Sequence, residues 1–94
     1  MALYIARVQL TKEISSYYTL LRDRLLKIGF TKRIKSKIGE EYRLPNGNYL
    51  IESDSDIDII FEAVRKIALT VDKNPMIVIT ESKNTSWAGL EKIR

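Results

Sequence analysis

The sequence predicts one α+β domain whose elements follow the order strand, helix, strand, strand, helix, strand. Three observations support this prediction: an apolar–polar alternation near the start, two stretches with apolar residues at spacings of three and four, and a continuous apolar run near the end. A length of 94 residues suits one domain. We therefore expect residues 1–94 to form a single unit.

The first strand is predicted over residues 3–10, where alternate positions are apolar. Its buried face consists of Tyr4, Ala6, Val8 and Leu10. A helix follows, with Ser15 or Ser16 as its N-cap and Gly29 as its left-handed end. The apolar stripe of this helix comprises Ile14, Tyr17, Tyr18, Leu21, Leu25 and Ile28. The two patterns predict a strand and a helix that bury their apolar faces.

Further strands are predicted in the middle of the chain. The first begins at residue 30, and its apolar face consists of Phe30, Ile34 and Ile38. A short strand over residues 41–44, a turn over residues 45–47 and an extended piece over residues 48–52 follow it. Because Pro45 has no N–H group, the third strand is interrupted there or lies on a sheet edge.

A second helix is predicted after the acidic segment 53–58, whose serines and aspartates favour a capped N-terminus. Its apolar stripe comprises Ile57, Ile60, Phe61, Val64, Ile67, Ala68 and Val71. The apolar run over residues 76–80 then predicts a central strand that is buried on both faces. We expect a common core of Leu21, Leu25, Ile60, Phe61, Val64 and Val78.

The aspartates before this helix also have the spacing of a calcium loop. They are Asp54, Asp56 and Asp58. Ile59 stands where such a loop needs glycine and Arg65 where it needs glutamate, so the calcium-loop interpretation fails. A magnesium site on two of the carboxylates is the alternative to helix capping, but capping needs fewer assumptions. We expect no metal site and no cofactor.

The order of elements is that of the ferredoxin-like plait, βαββαβ. This fold has a four-stranded antiparallel sheet with two helices on one face. The other face is free to meet solvent, a ligand or a second copy in a homodimer. The tail, residues 83–94, contains Trp87 and Leu90 and is expected either to cover its own domain or to reach onto a partner.

The composition excludes several classes of enzyme. The chain contains no Cys and no His, which excludes a disulfide framework, a thiolate nucleophile, a Ser-His-Asp triad and a Cys/His zinc site. Arg7 interrupts the apolar start where a signal peptide would be continuous. No apolar run reaches the roughly 18 residues that a membrane span requires. We expect a cytoplasmic protein that does not enter the membrane.

Basic residues are concentrated in the first half of the chain. Residues 1–50 hold ten basic and four acidic groups, a net charge of +6, whereas residues 51–94 hold six basic and eight acidic groups, a net charge of −2. This asymmetry favours contact between the first half and a polyanion. Two ordinary solvated faces are the alternative interpretation.

The basic residues of the second strand form the candidate binding site. On a strand, Arg33, Lys35 and Lys37 would share one face at intervals of about 7 Å, close to the spacing of phosphates along extended nucleic acid. Rings for base stacking would come from Tyr42 and Tyr49 on the neighbouring strand. The residues predicted to bind nucleic acid are Lys32, Arg33, Lys35, Lys37, Arg43 and Tyr49. The alternative is that these charges only keep an exposed sheet face soluble.

Four segments also carry a family resemblance: GFTKRI over residues 29–34, YRLPNGNY over 42–49, IVITES over 77–82 and WAGL over 87–90. In order and spacing they resemble the GhoS-type family of small bacterial proteins, named for the endoribonuclease antitoxin of type V toxin–antitoxin systems. The resemblance spans nearly the whole chain. It implies a ferredoxin-like fold and sequence-selective cleavage of a toxin messenger RNA.

Two hypotheses for the function follow. The first is an antitoxin-like protein that binds single-stranded RNA and resembles an endoribonuclease acting on messenger RNA. In that case Arg33 or a lysine would stabilise the pentavalent phosphate, and a tyrosine such as Tyr42 or a carboxylate would assist proton transfer. The alternative is a non-catalytic module of the same fold that binds a partner protein or a nuclease through the open sheet face or the tail and acts as an inhibitor or adaptor.

Overall fold

The computed structural model describes residues 1–94, which form five strands and two helices. In chain order the elements are β1 (Ala2–Gln9), α1 (Ser15–Lys27), β2 (Arg33–Lys35), β3 (Glu41–Arg43), β4 (Asn48–Ser53), α2 (Ile57–Leu69) and β5 (Met76–Ser82). The predicted α+β class is confirmed. Neither helix has the length and the apolar character needed to cross a membrane.

The strands form two sheets. Strand β1 is the middle strand of a three-stranded antiparallel sheet with the order β4-β1-β5, and β2 pairs with β3 in a separate two-stranded sheet. Thr31 and Leu50 exchange two backbone hydrogen bonds of 2.8 Å. These bonds join the start of the predicted second strand to β4. The chain then bends at Lys32 and pairs with β3 instead. The predicted four-stranded sheet is therefore not formed as one continuous sheet.

Both helices pack on one face of the three-stranded sheet, where they form the larger core. Its buried residues are Tyr4, Ala6, Val8, Leu10, Leu21, Leu25, Phe30, Tyr49, Ile60, Val64 and Ala68. The predicted buried face of β1 is thus confirmed. In the predicted stripe of α1, only Leu21 and Leu25 are fully buried, whereas Ile14 and Ile28 are exposed near its ends.

The helix ends differ in part from the sequence prediction. Ile14 occupies the N-cap position of α1 and makes no side-chain cap, so the assignment of Ser15 or Ser16 to that position is wrong. Both serines already lie within the helix. Gly29 has φ 105°, which confirms the predicted left-handed end. Helix α2 is capped by Asp56, whose carboxylate accepts a backbone hydrogen bond of 3.2 Å.

A smaller core lies on the opposite face of the sheet. Its buried residues are Ile34, Leu44 and Leu50. Leu3 and Ile5 of β1 pack against them from the sheet, and Trp87 and Leu90 do so from the tail. This cluster shows that the tail covers its own domain, which is one of the two predicted alternatives.

The tail also pairs with the outer edge of β3. The backbone N–H of Arg43 donates to the carbonyl of Glu91, and the N–H of Ile93 donates to the carbonyl of Glu41, both at 2.9 Å. An edge strand otherwise presents unpaired donors and acceptors to solvent. The tail therefore protects the edge of β3 and fixes the position of the hairpin.

Three predicted core positions need correction. Strand β5 is an edge strand that pairs only with β1, and Met76 and Val78 are 56% and 57% exposed. Val78 is therefore not a core residue, because a short apolar run does not distinguish an edge strand from a central one. Phe61 is only half-buried. Ile38 is 81% exposed, because β2 ends at Lys35 and does not carry its alternation further.

Candidate nucleic-acid interface

A broad groove of about 1010 Å³ lies between α1, the β2–β3 hairpin and the sheet face that the helices leave uncovered. The rest of its lining comes from the segment before α1, the end of β1, the start of β5, the turn before β4 with the start of β4, and one residue of the tail. The charged residues that line it are Arg7, Glu13, Arg22, Lys32, Arg33 and Arg43. We call this feature the basic groove.

The charge of the basic groove is almost entirely of one sign. Five cations line it, and Glu13 is the single carboxylate. Arg22 and Arg33 have acidic partners at 3.1 Å and 3.7 Å, both in exposed ion pairs, whereas Arg7 and Arg43 take part in none of the ion pairs. Because exposed ion pairs contribute little free energy, a polyanion can compete with these partners.

The hairpin places two of the arginines directly opposite each other. Arg33 of β2 and Arg43 of β3 are partners in the antiparallel register. Like charges at such positions destabilise a sheet. Glu41 relieves the repulsion only in part, because it lies 3.7 Å from Arg33 and has no ion pair with Arg43. An anion bound between the two guanidinium groups would relieve the remainder.

Lys32 lines the basic groove and is held in place by the turn before β4 and by the first residue of β4. Its ammonium donates hydrogen bonds to the carbonyl oxygens of Pro45 at 2.8 Å and Asn48 at 3.1 Å. It also lies 4.7 Å from the centre of the Tyr49 ring. Burial, together with the charges of two neighbouring arginines, lowers the pKa of Lys32 to about 8. An ammonium has three donors, so one remains for a ligand.

Tyr49 is a core residue rather than an exposed stacking platform. Its side chain is 1% exposed, and burial raises the pKa of its hydroxyl to about 12. The ring supports Lys32 through a cation–π contact. The prediction that Tyr49 stacks on a base therefore fails, because its ring faces the protein interior.

The predicted row of three cations is shortened by the end of β2. Lys35 shares a face of β2 with Arg33 but does not line the basic groove, and neither does Lys37. Lys37 lies in the turn that follows the strand. The groove cation directly opposite Arg33 is instead Arg43, across the hairpin.

Tyr42 lies on the other face of the hairpin. It pairs with Ile34 in the register, and alternate side chains of a strand point to opposite sides. Its hydroxyl donates to the carboxylate of Glu40 at 2.9 Å, and this hydrogen bond raises the pKa of Tyr42 and lowers the pKa of Glu40. Its ring meets Trp87 edge-on, with the ring centres 5.7 Å apart. The structure therefore does not bring Arg33 and Tyr42 together in one site.

Gly47 shapes the wall of the basic groove. It has φ 80°, and a Cβ built there would lie 2.6 Å from the carbonyl oxygen of Val8. In the other direction, the N–H of Val8 donates to the carbonyl of Gly47 at 2.7 Å. Both the left-handed backbone and the close approach require glycine. The turn is therefore fixed against the end of β1.

Two cations of the basic groove are absent from the sequence prediction. Arg7 lies on the face of β1 that points away from the helices and also carries Leu3 and Ile5, and Arg22 lies on the exposed side of α1. The alternation of β1 already indicates that Arg7 lies opposite the helices. Nothing in the sequence indicates that either residue meets the hairpin, because that depends on the bend at Lys32.

The aspartates before α2 have no part in this interface. No group of three acidic side chains in the structure could hold a metal ion. Asp56 caps the helix instead, as the capping interpretation predicts.

No protein-family model matches the chain, and no curated protein matches it. The basic groove and its lining residues are therefore the features of this chain that bear on its function.

Proposed function

We propose that the protein binds single-stranded RNA in the basic groove. The observation that carries this proposal is the charge of one continuous groove, which five cations and a single carboxylate line. Contacts between Lys or Arg and phosphate supply most of the sequence-independent affinity of proteins for nucleic acid. Arg7 and Arg43 have no acidic partner in the chain, so phosphates are well suited to pair with them.

The sheet order supports a ferredoxin-like plait in which the second strand has partly separated from the sheet. The bridge between Thr31 and Leu50 lies on the side of β4 that faces away from β1, where the second strand of such a plait would pair. The residues after this bridge form a hairpin instead. That hairpin carries Arg33 and Arg43 to the basic groove. This placement supports a binding role for the hairpin that replaces the second strand of the plait.

The family resemblance adds a narrower proposal: the RNA is a messenger RNA, and the role is antitoxin-like. Within the basic groove, Arg33 is suited to stabilise a pentavalent phosphate, because a guanidinium presents several fixed donors. Tyr42 faces away from it, so no tyrosine is placed to move a proton beside Arg33. Binding, rather than cleavage, is therefore the activity that the geometry supports best.

The test compares two cations that differ in location. Arg43→Ala removes an exposed cation from the basic groove, and Lys37→Ala removes an exposed cation outside it. We expect Arg43→Ala to weaken binding of a labelled single-stranded RNA about fivefold at low salt and to reduce the salt slope by about 0.7. Lys37→Ala should bind like the unaltered protein. Fluorescence anisotropy over a series of salt concentrations measures both quantities.

A third variant should change the RNA affinity in the opposite direction. Glu13→Gln removes the only carboxylate of the basic groove and should strengthen binding. Equal effects of Arg43→Ala and Lys37→Ala would contradict the groove assignment, and absence of RNA binding at low salt would favour the partner-protein alternative.

A denaturing gel of the same RNA tests cleavage. If Arg33 is catalytic, Arg33→Ala should lose far more of the cleavage rate than of the RNA affinity.

A further inference from the structure

The basic groove also contains an apolar surface on the edge strand of the sheet. Met76 and Val78 both line the groove, and their side chains are 56% and 57% exposed. They are two residues apart on β5 and so point to the same side of the sheet. Neither belongs to either core cluster, so packing within the chain does not account for them.

The register places a polar residue of β1 beside each of them. Gln9 is the partner of Met76, and Arg7 is the partner of Val78. The four side chains form two rows, separated along the strands by two residues or about 7 Å. All four residues line the basic groove. We call this set of Arg7, Gln9, Met76 and Val78 the sheet patch.

We propose that the sheet patch contacts the unpaired bases of the RNA, while the arginines of the hairpin hold its phosphates. This inference rests on the proposed function of the groove. Apolar side chains can pack against the faces of bases, and Arg and Gln carry hydrogen-bond donors that can reach base edges. The row spacing is close to one nucleotide step of an extended strand. The patch therefore fits two adjacent nucleotides of a single strand.

The charge around the sheet patch favours nucleic acid over a second copy of the chain. The patch shares one groove with five cations, and the whole chain has a formal net charge of +4. A second copy seated on the patch would bring a protein of the same charge sign to this surface, whereas an RNA strand brings phosphates. A duplex offers its phosphates as well but keeps its base faces stacked inside. The sheet patch therefore fits single-stranded RNA rather than a duplex.

The experiment uses substitutions that remove apolar character and keep side-chain size. Val78→Thr and Met76→Gln are combined in one variant, since both positions are exposed on a strand. The control is Ile59→Thr, because Ile59 is 58% exposed on α2 and does not line the groove. The probes are a single-stranded RNA of about eight nucleotides, its duplex form and inorganic polyphosphate.

We expect the double variant to bind the single strand about fivefold more weakly, with an unchanged salt slope and unchanged affinity for polyphosphate. Ile59→Thr should bind like the unaltered protein, and the duplex should bind more weakly than the single strand. Equal affinity for single strand and duplex, or an equal loss on polyphosphate, would overturn the inference. So would a loss of self-association in the double variant, measured by sedimentation, without any change in RNA affinity.

Failure of this inference differs from failure of the proposed function. If the groove binds RNA only through phosphates, Arg43→Ala weakens binding and the double variant does not. If the groove does not bind RNA at all, neither variant changes the affinity. The two sets of variants therefore separate base contact from phosphate contact.

Discussion

The two faces of the three-stranded sheet are covered to very different extents. On the helix side, eleven buried residues from the sheet, both helices and the chain after α1 form one cluster. On the other side, only three residues are buried: Ile34 in the hairpin, Leu44 at its end and Leu50 in β4, with the tail packed against them. That cover is incomplete, and the uncovered part of the sheet lines the basic groove together with the hairpin and α1.

This difference separates stability from binding. The helix side holds most of the buried apolar surface, which supplies the main favourable free energy of folding. The groove holds five cations, one of them on α1, together with the exposed Met76 and Val78. Substitutions on the helix side should therefore change the free energy of unfolding and leave the RNA affinity of the folded fraction unchanged. Substitutions of exposed groove residues should do the reverse.

The largest expected effect is a loss of stability on the helix side. Leu25 is a fully buried residue of α1 in the larger core. Leu25→Ala leaves a cavity and should lower the free energy of unfolding by about 2–5 kcal/mol. Since small domains are stable by only about 5–15 kcal/mol, part of the variant should be unfolded without denaturant. Urea unfolding followed by circular dichroism measures the change.

The matched control is Leu20→Ala in the same helix. Leu20 is 38% exposed, so the same chemical change removes less buried surface and should cost less than half as much. Equal losses from the two variants would show that the helix face is oriented differently. They would also contradict the division of the molecule into a stable face and a binding face.

The helix side was also the region that the sequence predicts best. The alternation of β1 and the stripe of α2 identify Val8, Ile60 and Val64 as buried, and all three are buried. The second strand was predicted less well, because Thr31 pairs with β4 and the chain then bends at Lys32. Beyond that bend the hairpin and the tail pack together in the smaller core, which no local pattern reveals.

A smaller loss of stability is expected on the groove side. Trp87 is half-buried in the smaller core and meets Tyr42 edge-on. Trp87→Ala should lower the free energy of unfolding by about 1–3 kcal/mol, because a partly buried aromatic pair is lost. It should also loosen the tail, which hydrogen-bonds to β3. Thermal unfolding and amide hydrogen exchange of the tail measure the two effects.

An unchanged melting curve for Trp87→Ala, with unchanged exchange at residues 87–93, would show that the tail does not stabilise the hairpin. The losses in the free energy of unfolding of Trp87→Ala and Leu25→Ala compare the stability that the two cores contribute. If Trp87→Ala costs as much as Leu25→Ala, the smaller core contributes as much stability as the larger one.

The candidate site was predicted in part. Lys32, Arg33 and Arg43 are predicted from the sequence and line the basic groove. Lys35 and Lys37 lie outside it, because β2 is only three residues long. The remaining groove cations come from β1 and α1, whose approach to the hairpin depends on the tertiary fold. Strand alternation therefore predicts which face a charge occupies but not which charges from distant segments converge.

The smallest expected effect concerns pH. Burial and two neighbouring arginines lower the pKa of Lys32 to about 8 from its usual value of 10.5. The groove therefore loses one positive charge as the pH rises from about 7 to about 9. A bound phosphate favours the charged ammonium, so binding takes up protons near this pH and the affinity falls as the pH rises. The loss should be about two- to fivefold for one cation.

Stability should change in the opposite direction over the same range. Between about pH 8 and about pH 10, Lys32 is largely neutral in the folded chain and still protonated in the unfolded chain. The unfolded state then binds more protons, so the free energy of unfolding rises with pH. Above about pH 10 the raised pKa of Tyr49, about 12, reverses the trend, because ionisation of the phenol favours unfolding. Measurements should therefore stop near pH 9.5.

Lys32→Arg is the control for both pH profiles, because a guanidinium keeps its charge throughout this range. Its RNA affinity and its stability should not follow the titration near pH 8. The RNA should contain only adenine and cytosine, whose bases do not titrate there. A pH profile that is identical in Lys32→Arg and the unaltered protein would assign the dependence to another group. An affinity that rises with pH would contradict the placement of Lys32 beside a bound phosphate.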